Sequence, residues 1–148
     1  MLNRKEKTVF QLLGAAALAR HHLNQLLRRY NLTTTTFHLL RTLDAATTAS
    51  ESVYICDLAK SLAVPQPDMT RVLDRLESFG WIYRTRNAAD RRQVGVHITD
   101  DGKSTVSEVQ ELVTAACEDL TKYFDESDMI GLSEHFKSIN DAVDDCYA

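Results

Sequence analysis

The chain has 148 residues, of which 44% are apolar and 26% charged, and its formal net charge at pH 7 is −4. This length and composition are typical of one globular domain with enough apolar residues for a core. They exclude collagen-like, low-complexity and uniformly basic, polyanion-coating proteins. We therefore expect a single domain over residues 1–148.

The sequence carries no signal for a membrane or for secretion. No apolar run reaches the roughly 18 to 20 residues that a membrane helix needs, and residues 1–7 lack the apolar region of a secretory signal. We therefore expect a cytoplasmic protein with no membrane contact. The three cysteines, Cys56, Cys117 and Cys146, are widely spaced, which argues against a disulfide framework and a cysteine zinc site. We predict that Cys56 and Cys117 are small core residues.

The charge is unevenly distributed along the chain. Residues 1–30 carry six basic and one acidic side chain, and residues 60–92 carry seven basic and four acidic ones. Residues 93–148 carry three basic and thirteen acidic side chains. Such segregation allows one surface to attract a polyanion while another remains acidic. Solvated helix faces of uneven composition would produce the same pattern, so a motif has to decide between the two interpretations.

Both ends of the chain have the apolar periodicity of amphipathic helices. Apolar side chains recur every three or four positions over residues 9–30 and again over residues 106–124, and a stripe with heptad spacing begins at Met129. None of these helices can bury its stripe alone. We therefore predict that residues 1–30 and 101–148 form a helical dimerisation region. Packing of the stripes on the chain's own core is the alternative.

The central part begins with two predicted helices. A threonine run at 33–36 supplies N-cap chemistry for a helix that we expect to end near Ala45, and a loop is expected over 47–52. A short β-type stretch at 53–55 then leads into a helix of about two turns, which ends before Pro65.

The next helix is predicted over residues 66–79, and Gly80 is its terminating glycine. Its opposite, outward face is polar. Two short helices joined by a tight turn, the second with a polar outer face, are typical of a helix-turn-helix. The side chains predicted to be buried on this second helix are Met69, Val72, Leu73, Leu76 and Phe79.

Two β-type stretches follow, at 81–86 and 94–98, and an exposed loop over 87–92 connects them. This pattern predicts a β-hairpin with arginines at its tip, a wing, after which Thr99 caps the next helix. The predicted fold class is mainly α with a small β-hairpin wing (α+β). It consists of a winged helix-turn-helix lobe over residues 33–100 with N- and C-terminal dimerisation helices.

The second helix and the wing both carry groups suited to DNA. An arginine on the outward helix face can reach guanine O6 and N7 in a major groove or bond a phosphate, and an arginine on a thin hairpin can enter a minor groove. Taken singly, each arginine is as easily a solvated surface group. The residues predicted to bind DNA are Gln66, Pro67, Asp68, Thr70, Arg71 and Arg75 on the helix, and Arg84, Arg86, Asp90, Arg91 and Arg92 on the wing.

Two carboxylates on the same helix oppose phosphate binding. Asp68 and Asp74 repel phosphates unless each accepts from cytosine N4 or holds a neighbouring arginine. Together with the net acidity they favour an alternative function, a winged-helix module that binds another protein.

Residues 70–77 read Thr-Arg-Val-Leu-Asp-Arg-Leu-Glu, residues 90–92 read Asp-Arg-Arg, and residues 98–102 read Ile-Thr-Asp-Asp-Gly. In this order, and with helical flanks over nearly the whole chain, the motifs resemble the MarR family of bacterial transcriptional regulators. The resemblance implies a homodimer whose N- and C-terminal helices interlock. It also implies that the two lobes bind a pseudo-palindromic operator in double-stranded DNA, and we expect the regulation to be repression.

Residue roles follow from the same resemblance. Residues 66–71 would enter the major groove, with Arg71 as the family's recognition-helix arginine. Arg92, braced by Asp90, matches the wing arginine of the minor groove, and Arg91 is the alternative for that role.

This chain departs from the family pattern at two places. Pro65 stands where the family usually has a serine or threonine cap, and Ala88 and Ala89 replace a wing that usually carries proline or aspartate. These departures concern the operator sequence and the wing conformation.

Members of the family respond to small phenolic or aromatic ligands, to oxidants or to metals, so the resemblance implies a small aromatic or phenolic effector. A thiol-based redox-sensing regulator is a further alternative, although the oxidant-sensing members carry a cysteine in the first helix, which has none here. His21, His22 and His38 have no carboxylate at ligand spacing, so we predict neither a metal site nor a cofactor. No nucleophile–base pattern, phosphate loop or H-E-x-x-H motif is present, and we do not expect an enzyme.

Overall fold

The computed structural model describes residues 1–49, 51–86 and 93–147, and within them it has six α-helices and one two-stranded antiparallel hairpin. A 3₁₀ turn, Arg28–Tyr30, follows the first helix. The predicted fold class, mainly α with a β-hairpin wing, is confirmed. In chain order the elements are α1 (Arg4–Leu27), α2 (Thr34–Thr48), α3 (Ile55–Ser61), α4 (Gln66–Ser78), β1 (Ile82–Arg86), β2 (Val94–Ile98), α5 (Asp100–Thr121) and α6 (Glu126–Tyr147).

The chain divides into two compact units, Met1–Val113 and Thr114–Ala148. The first unit contains the hydrophobic core, to which the end of α1, the helices α2 to α4, both strands and α5 contribute. The helix-turn-helix and the hairpin therefore share one core. The largest fully buried side chains are Leu27, Leu39, Leu40, Leu43, Leu58, Met69, Leu73, Leu76, Ile82, Val96 and Val109.

The predicted N-cap chemistry of α2 is confirmed. Thr33 and Thr36 form a capping box, in which each backbone N–H donates to the other residue's hydroxyl oxygen, at 2.7 and 3.2 Å. The prediction that this helix ends near Ala45 and that a loop begins at 47 is wrong, because α2 continues to its last residue, Thr48. The hydroxyls of Thr47 and Thr48 donate to carbonyls four residues back, which accommodates these two β-branched residues in the helix.

The predicted helix-turn-helix is present as α3 and α4. The outer face of α4 is polar and exposed, and on its inner face Met69, Leu73 and Leu76 are buried. A Schellman motif ends the helix at Gly80, whose φ of +72° suits a glycine. In this motif the Gly80 N–H donates to the Glu77 carbonyl at 2.9 Å, and the Trp81 N–H donates to the Leu76 carbonyl at 3.1 Å.

On the predicted buried face, Val72 is only partly buried against the core, and one further residue is exposed. Phe79 is 40% exposed, and its ring stacks on that of Trp81 with centroids 4.7 Å apart. The prediction is wrong because α4 ends at Ser78, so Phe79 lies at the C-cap and no longer follows the apolar stripe of the helix.

The prediction that Cys56 and Cys117 are core residues is also wrong, because both side chains are exposed. Each lies beside the buried face of its helix rather than on it. Leu58 and Ala59 are the buried residues of α3, and Ala116, one position and about 100° around α5 from Cys117, is the buried one there. Burial therefore no longer argues against reactivity of either thiol.

The hairpin has the predicted strands, and Ile82 lies opposite Ile98 in its antiparallel register. The β-type stretch at 53–55 extends this small sheet. Tyr54 forms a bridge with Gly95, and the hydrogen bond from the Val96 N–H to the neighbouring strand-like segment is 2.9 Å long. The segment that leads into α3 is thereby held against β2.

The junction between the hairpin and α5 is closely packed. The Thr99 N–H donates to the Trp81 carbonyl at 2.9 Å, and the Thr99 hydroxyl accepts from the Gly102 N–H at 3.1 Å as the predicted cap. A Cβ added to Gly102 would lie 2.3 Å from the Trp81 carbonyl oxygen. Only glycine therefore fits at position 102 without a backbone shift.

We expect Gly102→Ala to lower the free energy of unfolding by about 1–3 kcal/mol, because the added methyl group overlaps backbone rather than a mobile side chain. Gly14→Ala is the matched control, since no atom lies within 4 Å of a Cβ at position 14 and alanine is the better helix former by about 1 kcal/mol. Urea denaturation followed by circular dichroism measures both. Equal stability of Gly102→Ala and the wild type would contradict the close packing of this junction.

Candidate nucleic-acid interface

The first turn of α4 is exposed and polar. Gln66, Pro67, Asp68 and Thr70 are all exposed, as expected for residues that could reach base edges. Pro65 is the N-cap and supplies no side-chain hydrogen bond to the helix. The first N–H groups of α4 therefore lack intrahelical acceptors, and the helix dipole gives this end a partial positive charge. An anionic group such as a phosphate fits this end of the helix.

Arg71 projects from the outer face of α4. Its side chain is 80% exposed, and its Nη1 lies 3.8 Å from Asp68 Oδ1. This separation gives a weak, solvent-screened pair that leaves the guanidinium donors available. The pair also partly neutralises Asp68, one of the two carboxylates that oppose phosphate binding.

Arg75 lies one helical turn beyond Arg71. Its guanidinium carbon is 5.7 Å from the centroid of the Phe79 ring, which in turn stacks on Trp81. Sequence reasoning missed this contribution of Phe79, because periodicity assigned the residue to the core. The signal that could have found it is Gly80, because a helix-terminating glycine places the preceding residue, Phe79, at the C-cap and outside the regular turns of the helix.

Arg84 ties the hairpin to α4. Its Nη2 donates to Asp74 Oδ1 at 2.7 Å and to Glu77 Oε2 at 2.5 Å, and its Nε donates to Glu77 Oε2 at 3.1 Å. Only 24% of the Arg84 side chain is exposed. The charge of Arg84 is therefore balanced within the chain, whereas the exposed Arg86 makes no ion pair with any residue in the described ranges. Asp74, the second of the two carboxylates that oppose phosphate binding, is therefore paired with Arg84.

These contacts shift the pKa values of both Glu77 and Arg84. Hydrogen bonds from the Arg84 guanidinium lower the pKa of the Glu77 carboxyl, and Glu77 raises the pKa of Arg84. Because 39% of the Glu77 side chain is exposed, solvent screens the pair, and its net contribution to stability is about 0–1 kcal/mol. The lowered pKa means that this contribution is complete above the ordinary glutamate value of about 4.3, and that it disappears as pH falls through the lowered folded-state value.

The outer side of the hairpin carries an aromatic pair that the sequence did not single out. The His97 ring stacks on Tyr83 with centroids 4.9 Å apart, and its Nε2 lies 2.9 Å from the Thr85 hydroxyl. A Cβ at Gly95 would lie 2.9 Å from the same hydroxyl, so the glycine leaves room for this contact. The predicted wing residues Asp90, Arg91 and Arg92 lie outside the described residues.

Two further features concern only the described part of the chain. There, no three histidine, cysteine, aspartate or glutamate side chains come together to hold a metal ion. No helix in the same ranges is both long and apolar enough to cross a membrane.

Comparisons with known proteins agree on one family. The model of the MarR family matches residues 32–94. The transcriptional regulator PecS of Dickeya dadantii is 30% identical over 89 residues, which are 60% of this chain and 53% of PecS, so the match spans about half of that relative's length.

Solved structures with the same fold include regulators of this family. A cysteine-to-serine mutant of MarR from E. coli, complexed with operator DNA, is 27% identical with a TM-score of 0.75, over 87% of this chain and 90% of that one. AbsC of Streptomyces coelicolor, a MarR family transcriptional regulator, has a TM-score of 0.84 at 20% identity over 97% of each chain. The second likeness concerns the fold alone.

We expect Arg84→Met to lower the free energy of unfolding by up to about 1 kcal/mol at pH 7 and to have less effect as the medium is acidified below pH 4. The reason is that acid protonates Glu77 and removes the interaction from the wild type as well. Urea denaturation at several pH values measures this difference. Arg86→Met, which removes an arginine of the same strand that has no ion-pair partner among the described residues, is the control and should leave stability unchanged at every pH. A pH-independent loss in Arg84→Met would contradict the role of the ion pair.

Proposed function

Because residues 32–94 match the model of the MarR family, we propose that this protein is a sequence-specific DNA-binding transcriptional regulator that acts as a homodimer on a pseudo-palindromic operator. The observation that carries the proposal is the division of α4 into two faces. Its inner face buries Met69, Leu73 and Leu76, and its outer face carries Arg71, 80% exposed, beyond an open first turn. Such a helix suits entry into a major groove.

In this proposal each part of the interface has a separate task. Gln66, Pro67, Asp68 and Thr70 lie at the end of α4 that meets base edges, and Arg71 donates to a guanine or a phosphate. Arg84 positions the hairpin through Asp74 and Glu77 rather than contacting DNA itself. The wing contacts that we propose are made by Arg86, at the end of β1, and by Arg92 or its alternative Arg91. The sequence motif assigns the minor groove to Arg92, braced by Asp90.

Exposed apolar stripes support the homodimer. On α6 the side chains of Phe136, Ile139 and Val143 are 45%, 42% and 49% exposed, and they repeat at heptad spacing. On α1, Val9 and Leu13 are 54% and 58% exposed. Monomeric proteins rarely leave such contiguous apolar surface in water. A second copy of the chain is the partner that the family resemblance implies for both helices.

We further propose repression as the direction of regulation and a small aromatic or phenolic molecule as the effector. A cavity of about 440 Å³ on α2, lined by Phe37, His38 and Arg41, supports the second part, since it combines an aromatic ring with a cation. Arg41 is held in place by a 2.7 Å hydrogen bond from its Nη1 to Gln110 Oε1 on α5. The cytoplasm is the compartment in which such a regulator would act.

We expect the protein to select specific duplexes from a pool of genomic fragments and to bind them far more tightly than random DNA at physiological salt. Arg71→Ala should weaken this binding by about 1–3 kcal/mol, because it removes a charged donor to DNA. Lys137→Ala, an equal change of charge on α6, is the control and should bind as the wild type does. Absence of any specific duplex would instead favour the protein-binding module.

We expect Ile139→Glu to shift the protein from dimer to monomer, because it places a charge in the centre of the α6 stripe, where a partner would bury it without a counter-ion. Sedimentation equilibrium measures the change. Ser138→Glu adds the same charge beside the stripe and should leave the dimer intact. A wild-type protein that sediments as a monomer would contradict the proposed assembly.

A further inference from the structure

A cavity of about 270 Å³ lies between the end of α1 and the recognition helix α4. Arg28 lines it from the 3₁₀ turn after α1, and Arg75 lines it from α4, so two arginines that are 47 positions apart in the sequence border one cavity. The amide side chains of Asn24 and Asn31 and the α2 cap residue Thr33 line the same cavity. All of these groups can donate hydrogen bonds.

The frame of this cavity is fixed by hydrogen bonds. The Oδ1 atom of Asn24 accepts from the Thr34 N–H at 2.8 Å, which attaches the end of α1 to the start of α2 and leaves the Asn24 amide group as a donor. Asn31 adopts a left-handed conformation with a φ of 59°, and its N–H donates to the Arg28 carbonyl at 3.1 Å. The buried Leu27 and Leu32 on either side anchor the turn in the core. The backbone that carries Arg28 is therefore well held.

The electrostatics of the cavity favour an anion. None of the described residues that line it carries a carboxylate, and the acidic groups of α4 are engaged elsewhere, Asp68 with Arg71 and both Asp74 and Glu77 with Arg84. Neither arginine of the cavity forms an ion pair with a carboxylate in the described ranges. The N-terminus of α2 at Thr33 adds the positive end of a helix dipole.

Arg75 keeps its donors despite its aromatic contact. The guanidinium lies over the face of Phe79, and stacking of this kind leaves the in-plane N–H groups free to donate. Such a fork matches the oxygens of a phosphate.

We infer that Arg28 and Arg75 together bind one phosphodiester group of the DNA backbone, at the edge of the major groove that α4 enters. This inference rests on the proposed function. The duplex is favoured over a free oxyanion because Arg75 lies four residues, one helical turn, beyond Arg71 on α4. A helix in a major groove is flanked by phosphates, and its later turns are directed toward the backbone. The contact would extend the DNA footprint from the recognition helix to the end of α1.

The test uses the full-length protein and a selected duplex. Arg28→Ala should weaken binding about tenfold and should reduce the slope of log K against log salt by about 0.9 for each lost phosphate contact. Arg29→Ala is the matched control: Arg29 is the next residue, is exposed, and lies 5.0 Å from the Tyr30 ring centroid, outside the cavity lining. It should keep the wild-type slope. Arg28→Lys should recover most of the slope, since the lysine retains the charge.

Each outcome decides the inference. An unchanged slope in Arg28→Ala, with specific wild-type binding intact, overturns the inference and leaves the proposed function standing. Equal losses of DNA affinity in Arg28→Ala and Arg29→Ala also overturn it, since non-specific electrostatic attraction between the protein and DNA would then explain both. Absence of specific binding by the wild type overturns both.

A second measurement distinguishes a free oxyanion from the duplex. Inorganic phosphate is titrated against potassium chloride at equal ionic strength, and the melting temperature of the protein is followed. The inference predicts no phosphate-specific stabilisation at millimolar concentrations. Stabilisation that is lost in Arg28→Ala, together with an unchanged slope for DNA, would identify the cavity as a site for a small oxyanion and would overturn the phosphodiester assignment.

Discussion

Burial of one face of α4 is the constraint on which the rest of the interface depends. Met69, Leu73 and Leu76 are each 0% exposed, and together they fix the rotation of the helix about its own axis. Once that rotation is fixed, Arg71 must point to solvent, because a residue two positions from a buried one is about 200° around the helix. The charged residues of α4 can therefore be presented to a partner without any reordering of the helix.

The hairpin is held against the same core through the buried side chains of Ile82, Val96 and Ile98, and polar contacts add to this attachment. The Schellman motif at Gly80 turns the chain directly from α4 into the hairpin, and the Trp81 carbonyl receives the Thr99 N–H where the hairpin leads into α5. Arg84 adds a side-chain connection from β1 back to Glu77. The helix and the hairpin are thus joined at both the backbone and the side-chain level.

Sequence reasoning predicted those parts of the fold that depend on local pattern. The period of the α4 stripe, the terminating Gly80 and the alternation in β2 each reflect a local preference, and each matches the structure. Phe79 was misassigned because periodicity carries no information about the residue at which a helix stops. Thr47 and Thr48 were misassigned because their intrinsic preference opposes a helix that their own hydroxyl groups then accommodate.

The candidate site was less predictable than the fold, because its contacts join distant segments. The sequence placed Arg84 among the residues for DNA, since an arginine on a hairpin next to a basic tip has that expected role. Its partners lie 7 and 10 residues away, on another element, and only the packing of the hairpin on α4 brings them together. The cavity between Arg28 and Arg75 is still less visible in the sequence, because nothing local relates the two residues.

These pairings also bear on the conflict between a net charge of −4 and the proposed DNA partner. At physiological salt, exposed charges more than about 8 Å apart are largely screened, so the acids that matter are those closest to the interface. On α4 each of these acids has an arginine partner: Asp68 has Arg71, and both Asp74 and Glu77 have Arg84. Removing Arg84 would therefore do more than loosen the hairpin, because it would expose two uncompensated carboxylates beside the groups proposed to meet phosphate. Asp74 and Glu77 share the single positive charge of Arg84, so this pairing reduces the repulsion between α4 and a phosphate without removing it.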